Sequence, residues 1–140
     1  MTFSIEKPVN TISALEPDVS ATKNKDTVYI VGYGNENQIK VIEGIVETWD
    51  NSKYTDFELR IHTKEFLNDW NYVGSPIMNK EGKVIGVFNR AYALKKNKKG
   101  KIISDNKNPP NSYYDFFVEG TTMRLILGKN YGKKKSKTNH

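Results

Sequence analysis

Apolar and polar positions alternate along most of this chain with a period near two, which predicts strands rather than helices. Phe57 to Thr63, FELRIHT, alternates most cleanly, with Phe57, Leu59 and Ile61 on one face and Glu58, Arg60 and His62 on the other. Thr27 to Tyr33, TVYIVGY, is β-branched and aromatic throughout, which suits a pleated, half-buried surface. The turn residues Gly34 to Asn37 separate it from a second strand, Gln38 to Trp49. Gly44 inside that strand marks a bulge or tight bend. Lys64 to Val73 is irregular and contains Trp70 and Tyr72. Pro76 to Asn79 reads as a short strand, Asn79 to Gly82 as a hairpin turn and Lys83 to Leu94 as the returning strand. Ser112 to Val118 is a last strand. Gly120 to Leu127 predicts a short helix capped by Thr121 or Thr122, with Met123, Leu125, Ile126 and Leu127 packing.

Strands joined by short turns, with one closing helix, define the fold class as all-β. The expected architecture is a single antiparallel six-stranded Greek-key-type barrel with a short C-terminal helix. Residues 1–26 read as an extended connector, 27–128 as the barrel and 129–140 as a basic, disordered tail. The expected core is Val28, Ile30, Ile39, Val41, Ile45, Leu59, Ile61, Ile77, Val84, Ile85, Val87 and Leu125.

Charge is uneven along the 140 residues. Met1 to Asn89 holds 9 basic and 13 acidic residues, a net of −4, whereas Arg90 to His140 holds 13 and 3, a net of +10. The lysines of Lys95–Lys107 and Lys129–Lys137 either attract polyanions weakly and without sequence preference or simply keep the surface solvated. No aromatic lies between the lysines of the first run, so the stacking residues of a single-strand binder are missing there. The chain has no cysteine, which excludes disulfides and thiolate metal sites. No His/Asp/Glu cluster has metal-ligand spacing, Gly32-Tyr33-Gly34 is too short for a dinucleotide fingerprint, and no cofactor is expected. Asp56, Glu58, Glu65 and Asp69 read as surface charges. No segment has the length of a membrane span. The first residues, MTFSIEKPVNTISAL, show no basic run followed by an apolar one, so no secretory leader is expected, and the compartment stays open.

The most informative stretch is Gly74-Ser75-Pro76-Ile77-Met78-Asn79-Lys80-Glu81-Gly82-Lys83-Val84-Ile85-Gly86-Val87. It resembles the segment after the nucleophile in trypsin-like serine proteases of the bacterial glutamyl-endopeptidase and exfoliative-toxin type. Asp26 to Tyr33 resembles the strand that opens their second barrel, and Val118 to Ile126 falls where their closing strand and helix stand. The resemblance spans roughly Phe3 to Leu127 and concerns the second barrel alone. It implies a tight loop whose backbone N–H groups once faced a substrate carbonyl.

The departures from that pattern decide what the resemblance implies. Val73 occupies the nucleophile slot, Tyr72 the slot before it, and Asn71 that of the oxyanion-hole glycine. Valine has neither hydroxyl nor thiol, so nucleophilic catalysis there is excluded. The family's catalytic His and Asp belong to the first barrel. His62 sits on the polar face of a second-barrel strand, either as a half-exposed strand histidine or as a rim contact for a peptide. Phe88 stands where glutamyl-specific relatives bind the acidic side chain, so that specificity is not implied, and Phe88 reads more naturally as a packed barrel residue. Gly74, Ser75, Phe88, Asn89 and Arg90 would line a vestigial peptide groove. The expected function is that of a non-catalytic protease homologue, either a binding module or one lobe of a split pair with a first barrel on another chain. A decayed remnant and a small polyanion-binding barrel are the alternatives.

Overall fold

The computed structural model describes residues 15–33, 38–48, 52–55, 58–103 and 111–128. In chain order the elements are β1 (Thr22–Lys23), β2 (Thr27–Tyr33), β3 (Ile39–Val46), β4 (Tyr54–Thr55), β5 (Glu58–Thr63), α1 (Asp69–Tyr72), β6 (Pro76–Met78), β7 (Val84–Lys96), β8 (Tyr113–Thr122) and α2 (Met123–Leu127). Strands β2, β3, β5, β8, β7 and β6 close, in that order, into an antiparallel barrel, while β1 pairs with β4 in a separate two-stranded sheet. The fourth barrel strand, β6, lies beside the first, β2. This is the spatial order 4-1-2-3 of a Greek key. The turn expected at Gly34–Asn37, Phe57, the start of the connector and the basic tail lie outside the described residues.

Val28, Ile30, Leu59, Ile61, Ile77, Phe88 and Val118 are buried to within 1% and fill the barrel. Space for them comes from glycines on the inner face. A Cβ built on Gly44 would stand 2.3 Å from Ile61 Cγ2, one on Gly86 2.6 Å from Leu59 Cδ1, and one on Gly120 2.6 Å from Ile77 Cδ1. Two bulges bend β7 around this core. Its register slips by one residue opposite Ile77/Met78 and again between Phe88 and Arg90. The second slip sets Asn89 outside the ladder, so that Phe88 and Ala91 both face inward. Bulges are a common means of closing a barrel.

Turns at the two ends of β7 have the same construction. Asn79 Oδ1 accepts from the N–H groups of Glu81 and Lys83, and Asn97 Oδ1 from those of Lys99 and Lys101. Gly82 and Gly100 supply φ values of 78° and 82°. The segments NKEGK and NKKGK are thus two copies of one asparagine-anchored turn, in which the side chain bonds its own backbone and glycine takes the left-handed position. The returning strand, expected to end at Leu94, therefore runs further. β7 runs to Lys96, turns, and returns through Ile102, which bridges Lys96.

The interior differs from the expected core on β3. Ile39 is 69% exposed, Val41 58% and Ile45 43%, whereas Ile42 and Val46 are buried. The segment IKVIEGIV carries apolar residues on both parities, so alternation alone cannot assign its faces. The inner position of Gly44 against Ile61, and the pairing of Ile30 with Ile42, decide it. Leu125 is also outside the core, at 51% exposure. Lys64 to Val73 is not wholly irregular, since α1 forms one helical turn within it.

Ile42→Ala should cost roughly 2–5 kcal/mol of unfolding free energy. Val41→Ala, one residue away on the outer face, should stay within about 0.5 kcal/mol. Urea unfolding of the two variants separates these outcomes, and equal losses would mean that the faces of β3 are exchanged.

Candidate functional site

The loop between β5 and β6 carries the positions singled out by the protease resemblance. Asn71 N–H donates to the Asn68 carbonyl at 3.1 Å, starting the turn of α1. Tyr72 is buried, with its ring 6.0 Å from that of Phe88. It lies against Gly32, where a Cβ would stand 2.8 Å from the Tyr72 ring and 2.7 Å from Ser75 Oγ. Gly74 follows with φ of 85°. Its N–H donates to the Phe88 carbonyl at 2.9 Å, and the Phe88 N–H returns a 2.9 Å bond to the Ser75 carbonyl. Val73 is left at the tip, 61% exposed.

The structure thus brings Gly74, Ser75 and Phe88 together, as a backbone ladder and not as a lined groove. Phe88 has no exposed surface and is a core residue, which removes it from the peptide-contacting set. Asn89, outside the ladder, donates from Nδ2 to Thr121 Oγ1 at 2.6 Å. Arg90 is turned to the outer wall, where it holds Glu119 in a two-point ion pair at 2.7 and 3.1 Å.

His62 is also on the outer wall, with its side chain 37% exposed. It lies between two carboxylates, Nδ1 3.8 Å from Glu47 and Nε2 3.4 Å from Asp115. Asp115 in turn meets Lys96 at 2.6 Å, and Glu47 meets Lys25 at 3.7 Å. Ser75 faces Gly32 and the barrel end, so this histidine and that hydroxyl are not a base–nucleophile pair. No protein-family model, curated protein or solved structure matches this chain.

The outer walls of the barrel fall into two kinds. Across β5, β8 and β7, Arg60 pairs with Glu119 and Glu119 with Arg90, while in the next row His62 pairs with Phe117 and Phe117 with Tyr92. Phe117 points outward yet is only 2% exposed. The Arg60 guanidinium stands 4.4 Å from its ring centroid, His62 5.1 Å, Tyr92 5.5 Å and Lys96 5.6 Å. Cations over an aromatic face gain electrostatically from its quadrupole. Burial pushes the Tyr92 phenol above its ordinary value of 10.0, against the lowering charge of Arg60. The period-two placement of Arg60 and His62, of Asp115, Phe117 and Glu119, and of Arg90 and Tyr92 was the available signal for this wall. It becomes readable only once the three strands are aligned.

The wall of β2 and β3 is bare by contrast. Tyr33 pairs with Ile39 and Val31 with Val41, and beyond the Tyr29–Glu43 pair Thr27 pairs with Ile45. Tyr33 is 56% exposed beside the exposed β3 residues. Such a row of apolar pairs is unusual on solvated sheet, where polar residues normally take the outer positions. Among the described residues the basic surface is smaller than the lysine run from Lys95 suggests. Lys95 is buried and Lys96 is held by Asp115, which leaves Lys98, Lys99 and Lys101 exposed at the turn. Lys107 and Lys129–Lys137 lie outside the described residues. Among those described, no group of three or more His, Cys, Asp or Glu could hold a metal ion, and no helix is long and apolar enough to cross a membrane.

Burial alone would push the Asp115 carboxyl up, but the hydrogen bond and charge of Lys96, with His62 beside it, hold it below its ordinary value of 3.8. A depressed folded-state value means that the ionised form is favoured by folding. Its stabilisation is complete above the unfolded value and is lost as the pH falls through the folded one. Asp115→Asn should therefore cost about 1 kcal/mol at neutral pH, and the cost should shrink when unfolding is followed below pH 3.8. A cost that stays constant with pH would assign it to shape and not to charge.

Proposed function

We propose that this chain is a non-catalytic interaction module, a barrel of the trypsin-like second-lobe type that binds another protein through the outer wall of β2 and β3. The observation that carries this reading is the row Tyr33, Ile39, Val41 and Ile45, all outward and each at least 43% exposed. The barrel interior is already filled from the other face of the same strands, so these side chains add nothing to the core. Tyr33, Ile39 and Val41 form one apolar patch, which Glu43 separates from Ile45, and exposed apolar surface of this kind marks an interaction site. Its extent is that of a central anchor cluster, around which a polar rim would complete a standard interface.

Three features support the non-catalytic part. Val73 stands exposed in the nucleophile slot, Ser75 is turned toward Gly32, and His62 is engaged by Glu47 and Asp115 on another wall. The resemblance favours a separate chain of first-barrel type as the partner. A second reading, weak polyanion binding, is favoured by the exposed Lys98, Lys99 and Lys101, and would show as an affinity that falls steeply with salt.

The protein should neither hydrolyse peptide or ester substrates nor react with a fluorophosphonate probe, and stoichiometric labelling of Ser75 would defeat the non-catalytic reading. Val41→Asp should leave folding intact, because the side chain is exposed. It should abolish retention of the partner when wild-type and variant protein are used side by side as affinity baits, with bound proteins identified by mass spectrometry. A partner held equally by both would place the interface elsewhere on the barrel.

A further inference from the structure

Past the barrel rim, β7 and β8 continue together as an arm. β5 follows β8 only as far as Phe116 and β6 follows β7 only as far as Val87, whereas β7 and β8 stay paired out to Lys96 and Tyr113. Beyond Lys96 the turn through Gly100 returns the chain to Ile102, which bridges Lys96. Lys98, Lys99 and Lys101 stand exposed on that turn, and no acidic residue occurs between Leu94 and Ile103. Asp115, on the β8 side of the arm, is held by Lys96 at 2.6 Å. The aromatic residues that this lysine run lacks in sequence are supplied across the ladder. Tyr114 pairs with Lys95 and Tyr113 with Lys96. Successive strand residues point to opposite faces, so each face of the arm carries one tyrosine, Tyr113 43% and Tyr114 56% exposed. Tyr113 reaches the turn itself, since a Cβ built on Gly100 would stand 3.6 Å from its hydroxyl. Lys95 Nζ lies 6.0 Å from the Tyr114 ring centroid.

We propose that this arm binds single-stranded nucleic acid, with bases stacked on Tyr113 and Tyr114 and phosphates against Lys98, Lys99 and Lys101. The lysines rest on the polyanion reading given above, and the rings go beyond it by selecting the kind of polyanion. A basic surface tracks any phosphate backbone, but a flat exposed ring takes up only a base that is free to stack on it. In a duplex the bases are stacked on one another, so a duplex would use the lysines and leave the rings idle. An acidic peptide would do the same. A lipid surface would need an aliphatic ridge, and the turn offers Ile102 alone. The route of an unpaired strand is also open. Among the described residues no strand pairs with β8 on its β5 side from Tyr113 to Asp115. A nucleic acid strand crossing that edge passes from one face of the arm to the other and meets both rings in turn, with the lysines of the turn beside it.

Fluorescence anisotropy of a labelled oligothymidylate, titrated with the full chain at low salt, tests this. The single strand should bind more tightly than a DNA duplex of equal length. Tyr113→Ala combined with Tyr114→Ala should weaken single-strand binding by about tenfold or more and leave duplex binding unchanged. Tyr113→Phe combined with Tyr114→Phe keeps both rings and should keep the affinity. Lys98→Glu combined with Lys99→Glu should weaken single strand and duplex together, because phosphate contacts do not distinguish them. Val41→Asp should have no effect, which separates the arm from the β2–β3 wall. Equal binding of single strand and duplex, with the alanine variant unaffected, would overturn this proposal and leave the polyanion reading standing. Binding of neither would overturn both. Equal losses in the alanine and phenylalanine variants would exclude stacking and so overturn the proposal as well.

Discussion

Everything outside this barrel depends on how narrow it is inside. Leu59, Ile61 and Ile77 meet in an interior that has room for them only because Gly86, Gly44 and Gly120 stand opposite. A barrel of so few strands holds little beyond its own side chains. One parity of the barrel strands is therefore committed to the core. Among the described residues, the other parity and the strand ends are left free for recognition. The same constraint fixes register, because a slip of one residue would exchange the two faces of a strand. The bulge at Asn89 is the exception built into the fold, since it keeps Phe88 and Ala91 on one side although they are three residues apart.

The two kinds of outer wall show that exposure of the second parity can be handled in different ways. On β5, β8 and β7 the large aromatic Phe117 is roofed by Arg60, His62 and Lys96, and Asp115 meets both His62 and Lys96. Individual surface ion pairs contribute little. Their collective effect here is to shield an apolar ring from water while presenting charge outward. On β2 and β3, by contrast, Ile39 and Val41 stay 69% and 58% exposed, with no such roof among the described residues. A chain able to shield one wall and bare on another distinguishes the two surfaces physically.

How much of this was legible in the sequence varied with the kind of signal. The six barrel strands and their antiparallel closure followed from alternation and turn chemistry, while the cap was narrowed only to Thr121 or Thr122, of which the structure uses Thr122. The faces of β5 were readable because Glu58, Arg60 and His62 share one parity. Those of β3 were not, because Ile39, Val41 and Ile45 compete with Ile42 and Val46, and only the neighbouring strand decides between them. The role of Phe117 was hidden for a related reason. Its shielding needs partners from β5 and β7, and no local pattern reports a contact between strands distant in sequence. The helical period of α2 suggested packing, but α2 lies beside β7 with Leu125, Ile126 and Leu127 still exposed, and periodicity does not report which side of a helix is covered.

The loop around Val73 shows why its shape and its chemistry are separate questions. Gly74 and Ser75 are fixed by backbone bonds to Phe88, and Tyr72 is fixed by packing on Phe88 and Gly32. None of these interactions involves the side chain at position 73. The loop is maintained by the core, so it would keep its form with serine, valine or any other residue at its tip. A shape held in this way does not depend on the side chain at its tip, and it carries no argument for catalysis. What the tip now offers is an exposed aliphatic side chain on a rigid turn. That is a contact surface, and contact is the only chemistry valine can supply.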